Sequence, residues 1–514
     1  MHDYVIVGAG SAGCVLAARL TEDPRTSVLL LEAGGRDRKR EIRIPAAFSK
    51  LYRSDVDWDY ATTPQESLDG RAVYVPRGKV LGGCSSVNAQ MVIRGCSADY
   101  DGWASAGAAG WGWSDVLPYF ERSRAVNGGP FDVADLRDPN PLTRAFLEAA
   151  ETAGVPRCRD LNDAQPDGVA YTQVSQRRGR RWSVVDGYLR PALRRPNLTL
   201  VTDAHATRVL IESGRAVGVA YRRAGRLEEA HGREVILSAG AINTPQLLLL
   251  SGVGPAAEIA ATGIERIHEL DGVGKNLQDH LTAGVLAATS TNGTLFAAES
   301  VSSIGRYLLF RRGLLTSNVA EAAAFVRSTP EVELPDLELV FAPVLFLDQG
   351  LTPPTQHGVT IGAVVLQPRS VGWVGLRAAD PFAPPLIETR YLSDPDGADL
   401  RVLLAGLRLA RHILAAEPLA RHVAEELVPG PHATTDDELA ATVRERAQTL
   451  YHPVGTCRMG TDDGAVVDPE LRVRGLEALR VVDASVMPRI PRGHTNWPTV
   501  MIAEKAADLV RGAG

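Results

Sequence analysis

Three glycines near the start of the chain, with a glutamate some twenty residues on, are the first residues whose types and spacing could do chemistry. In HDYVIVGAGSAGCVLAARL, Gly8, Gly10 and Gly13 lie between an apolar strand and a helix. The first permits a tight turn, the second lets backbone approach a pyrophosphate, and the third packs helix against strand. Backbone N–H groups at the helix start then hold the diphosphate. Glu32 closes the next apolar run, SVLLLE, where a carboxylate can accept both hydroxyls of a ribose and repels an extra 2′-phosphate. Strand, glycines, helix, strand and acid come in the order a dinucleotide site requires. Flavin and nicotinamide both remain open at this point.

Further clusters need elements to position them. VPRGKVLGGCSSVNAQMVIRG carries the Gly82-Gly83 pair, small hydroxyl residues and Asn88, a composition suited to backbone lying against a ligand. It sits in a segment over 34 to 130 that reads as a long functional loop system. Residues 142 to 155 have helical spacing. Strand patterns follow in LTLVTDAHATRVLIE, AVGVAYRR and EVILSAG, the last running into GAINTPQLLLLSGVGP, a Gly-rich turn and apolar helix. Residues 281 to 444 mix strand-like runs with a helix at 398 to 416. The chain then returns to tight motifs, YHPVGTCRMG and HTNWPTVMIAEKAADLV, with a final helix expected after Pro498.

The chain has 514 residues, 45% hydrophobic and 23% charged, which is ordinary for a globular protein of two or three domains. The net charge of −6 and the lack of a basic tract argue against nucleic acid. Apolar runs are too short to span a bilayer, and the fingerprint leaves no room for a leader ahead of it, so a cytoplasmic protein is expected. The five cysteines form no CxxC pair and read as reduced thiols with no metal site, Cys84 and Cys457 as small packing groups. The fold expected is α/β (α+β overall): a Rossmann-like nucleotide domain from residues 1–155, 195–280 and 445–514. Inserted into it is a substrate domain on an antiparallel sheet from 156–194 and 281–444.

With these motifs in order, the chain resembles the glucose-methanol-choline (GMC) oxidoreductases, flavoenzymes that oxidise alcohols. RGKVLGGCSSVN resembles the first family signature and GAINTPQLLLLSGVG the second. VGKNLQDHL resembles a connecting motif, and HPVGTCRMG with HTNWPTVMIAEKAADLV the catalytic end. The resemblance implies FAD. By position it puts the catalytic histidine at His452 and its active-site partner at Asn496, with His494 the competitor two residues away. It implies FAD contacts at Gly8, Gly10, Ser11, Gly13, Glu32, Ala33, Gly83, Asn88, Ala89, Val209, Ala239, Asp483, Ala484 and Asn496, with Val209 serving the adenine through its backbone. Where some relatives attach flavin through a histidine this chain has Val87, so the FAD is expected to be non-covalent.

The chemistry required is a base at the hydroxyl and a hydride acceptor at the carbon. An imidazole at His452 suits the first, and an amide at Asn496 can hydrogen-bond the developing alkoxide. Trp497, Val92, Phe341 and Phe346 are candidate pocket walls, although core packing is an equal reading for the phenylalanines. Glu321 reads as an exposed helical glutamate, with the alternative of facing a substrate cation. The expected activity is oxidation of primary alcohols, aromatic or apolar, with oxygen or another acceptor taking the electrons. A choline dehydrogenase-like enzyme is the runner-up, and a hydroxynitrile lyase-type activity stands behind it.

Overall fold

A computed structural model describes residues 1–125 and 128–512. The N-terminal strand His2–Val7 pairs in parallel with Val28–Leu31 on one side and Arg226–Leu237 on the other. Leu198–Val201 extends the sheet beyond Val28–Leu31, and Leu479–Val481 pairs with the far half of Arg226–Leu237. Val28–Leu31 is buried at every position, as a parallel strand covered on both faces must be, which explains its unbroken apolar run. The strand Arg226–Leu237 has two roles. Its second half belongs to the parallel sheet, while its first half turns back through Arg215–Arg223 and Ala204–Glu212 as an antiparallel meander.

Helix Ser11–Leu20 packs against the C-terminal helix Asn496–Gly512. Buried alanines at 503, 506 and 507 let the two approach closely. Both ends of the chain therefore finish one domain. The terminal helix begins at Asn496 rather than after Pro498. A proline in the first helical turn is tolerated because its missing N–H has no intrahelical partner there anyway.

The second domain is built on an antiparallel sheet in the order Val423–Val428, Leu281–Thr289, Gly358–Val365, Leu337–Ala342, Ala322–Val326 and Gly168–Tyr171. Helices Ala398–Leu414, Pro141–Thr152 and Asp436–Arg446 contribute to the core on one face, which includes Phe146, Phe341, Leu403 and Leu407. The opposite face turns toward the nucleotide domain.

Three sequence expectations are revised. Pro141–Thr152 was placed with the nucleotide domain, yet its apolar face joins the second core. Val184, Val185, Tyr188 and Leu189, placed in the substrate domain, pack in the nucleotide core. The segment over 34 to 130 is not loop throughout, since it contains helices Ser97–Ser105 and Trp113–Ser123.

Candidate active site

One continuous cavity runs between the two domains. At one end the turn after His2–Val7 carries Gly8 with φ 98°, and a Cβ there would meet Ser238 O at 2.5 Å. A Cβ on Gly13 would meet Gly8 O at 1.9 Å, so this glycine sits behind the turn and closes helix on strand. Gly10 lines the cavity and faces Gly83 from the second glycine turn, where an added Cβ would meet Gly10 Cα at 2.9 Å. The two turns form a narrow cradle of backbone with no room for a side chain at Gly8 or Gly83.

Glu32 lines the same cavity and accepts hydrogen bonds from Ala9 N–H and Gly34 N–H, both at 2.8 Å. A carboxylate has about four acceptor positions, so two remain for ribose hydroxyls. Burial pushes its pKa up to about 7. Ser11, Ala33, Asn88, Ala89, Ala239, Asp483, Ala484 and Asn496 also line the cavity. Asp483 is engaged by Gly240 N–H, Thr244 Oγ1 and Ser485 N–H, tying the strand end at Val481 to the helix Gly240–Leu250. Asn88 Oδ1 accepts from Gln90 N–H and from the buried Arg181, which also grips the carbonyls of Ile42, Ser85 and Asn88. With small residues at the pyrophosphate cradle and an acid at the ribose position, the residues present fit FAD.

The chemistry-bearing end is a group of three imidazoles. His280 Nε2 lies 3.1 Å from the Leu366 carbonyl, which can only accept, so that nitrogen carries the proton. Burial, with His494 nearby, pulls the His280 pKa down to about 3 and keeps the ring neutral. Its Nδ1 is then an acceptor, and His452 Nδ1–H donates to it at 2.9 Å. The remaining nitrogen of His452, Nε2, is left with a free lone pair. Burial, followed by His494, His280 and Arg77, holds the His452 pKa well below the ordinary imidazole value.

The backbone N–H of His452 donates to Asp279 Oδ1 at 2.8 Å, and Asp279 is itself fixed by Tyr391 and Thr449. Just before it, Tyr451 adopts φ 70°, a left-handed conformation costly for an aromatic residue and held here by the Thr449 hydroxyl. On the other side His494 lies with its ring centroid 4.6 Å from that of His452. Its Nε2 is 3.1 Å from Glu338 Oε1, in a carboxylate that is fully buried. Asn496 lies at the start of the terminal helix with its Oδ1 accepting from Ser11 Oγ at 2.7 Å, which leaves the amide NH2 for a ligand.

The cavity that His452 lines is also walled by Phe48, Tyr52, Phe346 and Tyr451. Ring centroids lie 5.8 Å apart for Phe48–Tyr52 and 5.7 Å for Tyr52–Tyr451. Phe346 is thus in the wall, but three other candidates are not. Strand alternation turns Val340 and Ala342 to the cavity and Phe341 to the helices, where it stacks on Phe146 at 4.5 Å. Trp497 is buried in the nucleotide-domain core, stacked on Phe131, with Nε1–H donated to Ser123 Oγ. Val92 is buried in that same core.

Val209 also lies off the cavity, its N–H given to Ser251 Oγ, while Ala204, His205 and Ala206 of the same strand line it. Glu321 is buried and not helical. It precedes the strand Ala322–Val326, and its carboxylate accepts from Asn140 N–H, Thr143 and Ser317.

His280 and Glu338 are the site residues that sequence reasoning passed over. Each had a signal: His280 sits inside the VGKNLQDHL motif, and Glu338 is an acid within an otherwise apolar strand.

A two-glycine dinucleotide cradle opening onto a neutral buried histidine is the arrangement of a dinucleotide-dependent oxidoreductase. The chain belongs to the GMC oxidoreductases: the family's N-terminal profile matches residues 2–282 and its C-terminal profile residues 368–503. An uncharacterized GMC-type oxidoreductase of Mycobacterium tuberculosis is 50% identical, covering 99% of both chains. An alcohol dehydrogenase of Pseudomonas putida is 45% identical over 99% of this chain and 96% of that one. Human mitochondrial choline dehydrogenase is 43% identical over 99% and 90%. The structure superposes on pyridoxine 4-oxidase from Mesorbium loti with a TM-score of 0.91 and 30% identity, covering 100% of this chain and 99% of the other. The chain is accordingly an FAD-dependent alcohol oxidoreductase.

Proposed function

We propose that this enzyme oxidises primary alcohols to aldehydes, with aromatic or apolar alcohols preferred, and holds FAD without a covalent link. The observation that carries this reading is the His280–His452 pair, whose tautomers leave His452 Nε2 free to take the hydroxyl proton. FAD in the cradle supplies the hydride acceptor. His452 is a weak base, but weakness suffices, because an alcohol giving up hydride acquires a strongly acidic O–H. Asn496 donates from its amide to the same oxygen and holds it as charge develops. His494 flanks His452, with ring centroids 4.6 Å apart.

The substrate preference rests on the rings of Phe48, Tyr52, Phe346 and Tyr451. The same rings support a second reading, a choline-type substrate held by cation–π contact. Against it, Glu321 is consumed by its own hydrogen bonds, Asp57 is bonded to Tyr74, Arg53 and Arg77, and Asp348, the carboxylate beside Phe346 on the cavity lining, is engaged by the Thr352 hydroxyl. Val87 lines the cavity and offers no nucleophile to a flavin.

The test is an anaerobic panel of benzyl alcohol, hexanol and choline followed by flavin bleaching, with air admitted afterward to compare oxygen with an artificial quinone. Faster bleaching by choline than by benzyl alcohol would overturn the substrate reading. Flavin that stays with acid-precipitated polypeptide would overturn the non-covalent one.

A further inference from the structure

Helix Val301–Phe310 presents its apolar side to solvent. Val301 is 90% exposed, Leu308 62%, Leu309 76% and Phe310 64%, with Phe296 and Ile304 beside them. Half of the exposed large apolar side chains among the described residues fall between 296 and 310, so this is a patch and not the usual scatter. In the helix itself only Tyr307 is buried.

The patch is bordered by cations. Arg311 and Arg312 follow the helix, and the hairpin Gln176–Arg181 runs against it: a Cβ on Gly179 would meet Arg311 O at 2.5 Å and the Arg137 side chain at 3.2 Å. Arg178 and Arg180 on this hairpin are exposed. Among the described residues, Arg137, Arg178, Arg180 and Arg311 make no ion pair, while Arg306 and Arg312 share the single carboxylate of Asp138. In a chain of net charge −6, these uncompensated arginines around exposed leucine and phenylalanine are a local reversal.

The charge selects the occupant. A second copy related by two-fold symmetry would bring the same arginines face to face. An anionic lipid surface satisfies both components, since apolar side chains enter the headgroup boundary while guanidinium groups bind phosphates. No helix among the described residues is long and apolar enough to cross a membrane, so the contact is with the surface. We propose that this face docks onto an anionic phospholipid bilayer, with Leu308, Leu309 and Phe310 inserted and Arg178, Arg180 and Arg311 on headgroup phosphates. The proposal is independent of the alcohol oxidised. It does have a spatial corollary: the turn Leu314–Thr316 after the helix packs on Pro45–Leu51, whose Phe48 lines the substrate chamber.

Flotation of the FAD-loaded protein with two vesicle types tests this, one of phosphatidylcholine alone and one containing about one third phosphatidylglycerol. The protein should float with the anionic vesicles and bind roughly tenfold less to the neutral ones, with added salt weakening the binding. Leu309→Glu combined with Phe310→Glu, and separately Arg178→Glu combined with Arg180→Glu, should each lower flotation about tenfold with FAD content and melting temperature unchanged. Failure of the wild type to float at low salt, or equal binding to neutral and anionic vesicles, overturns the proposal. So does a wild-type dimer that Leu309→Glu converts to monomer, which would assign the patch to a second copy.

Discussion

The cofactor wall and the substrate wall of the cavity are made of different material. The first is backbone, brought close by Gly8, Gly10 and Gly83 and by small residues such as Ala33, Ala89, Ala239 and Ala484. The second is side chain: Phe48, Tyr52, Phe346 and Tyr451, set on the 3-10 helix Pro45–Leu51 and its end and on two loops from distant parts of the chain. The backbone wall has no room for a Cβ at Gly8 or Gly83, whereas a side-chain wall can be reshaped without losing the site. Between them stands His452, placed by backbone and armed by hydrogen bonds.

The sharpest way to break this contrast is Gly83→Ala. Gly83 has φ 50°, and its new Cβ would press on Gly10 backbone rather than on a side chain that can move. Purified protein should be colourless, with bound-flavin absorbance lost, while Phe48→Ala stays yellow. A yellow Gly83→Ala protein would show that the cradle yields.

His452→Ala should retain FAD yet slow anaerobic flavin reduction by about 10² or more, the scale of a general base. Stopped-flow reduction at saturating benzyl alcohol measures it. An unchanged rate removes the imidazole from the chemistry.

The third prediction concerns pH. His280 has its folded pKa lowered to about 3 from 6.5, so between these values the unfolded chain binds more protons than the folded one. Stability is therefore complete above about pH 6.5 and falls as pH drops, by about 3 kcal/mol at pH 4 from this group. Melting temperature against pH should slope less steeply over that window in His280→Gln.

The smallest effect is expected on the side-chain wall. Tyr52→Ala should lower kcat/KM for benzyl alcohol relative to hexanol by about 5- to 20-fold, one aromatic contact's worth. Trp497→Phe should leave that ratio unchanged because its ring lies in the core. A ratio that follows Trp497 instead would return this residue to the pocket.

The two walls also differ in how far they could be read from sequence. Backbone constraints leave a local signature, because only glycine accepts these angles and approaches, so the fingerprint and the Gly82-Gly83 turn were visible. The alternation of sheet and helix patterns foretold the mixed α/β fold, and the helix Ala398–Leu414 nearly to its ends. Side-chain walls leave no such trace. Phe341 and Ala342 are neighbours in sequence but face opposite sides of one sheet, and nothing local says which side holds the ligand. Trp497 follows a site residue yet turns into the core because it lies on a helix. The domain boundaries drifted for a similar reason: Pro141–Thr152 is amphipathic whichever core it joins.

The Ser11–Asn496 hydrogen bond joins groups 485 positions apart in the chain. At ribosomal speeds of 5–20 residues per second, the first glycine turn waits roughly 25 to 100 s before Asn496 is made. Through that interval the strand His2–Val7 and its apolar partners lack the terminal helix and the strand Leu479–Val481 that complete their packing. The nascent chain thus spends most of its synthesis with an unfinished core, and although both glycine turns are made early, the cavity wall that holds Asp483, Ala484 and Asn496 is among the last things translation delivers.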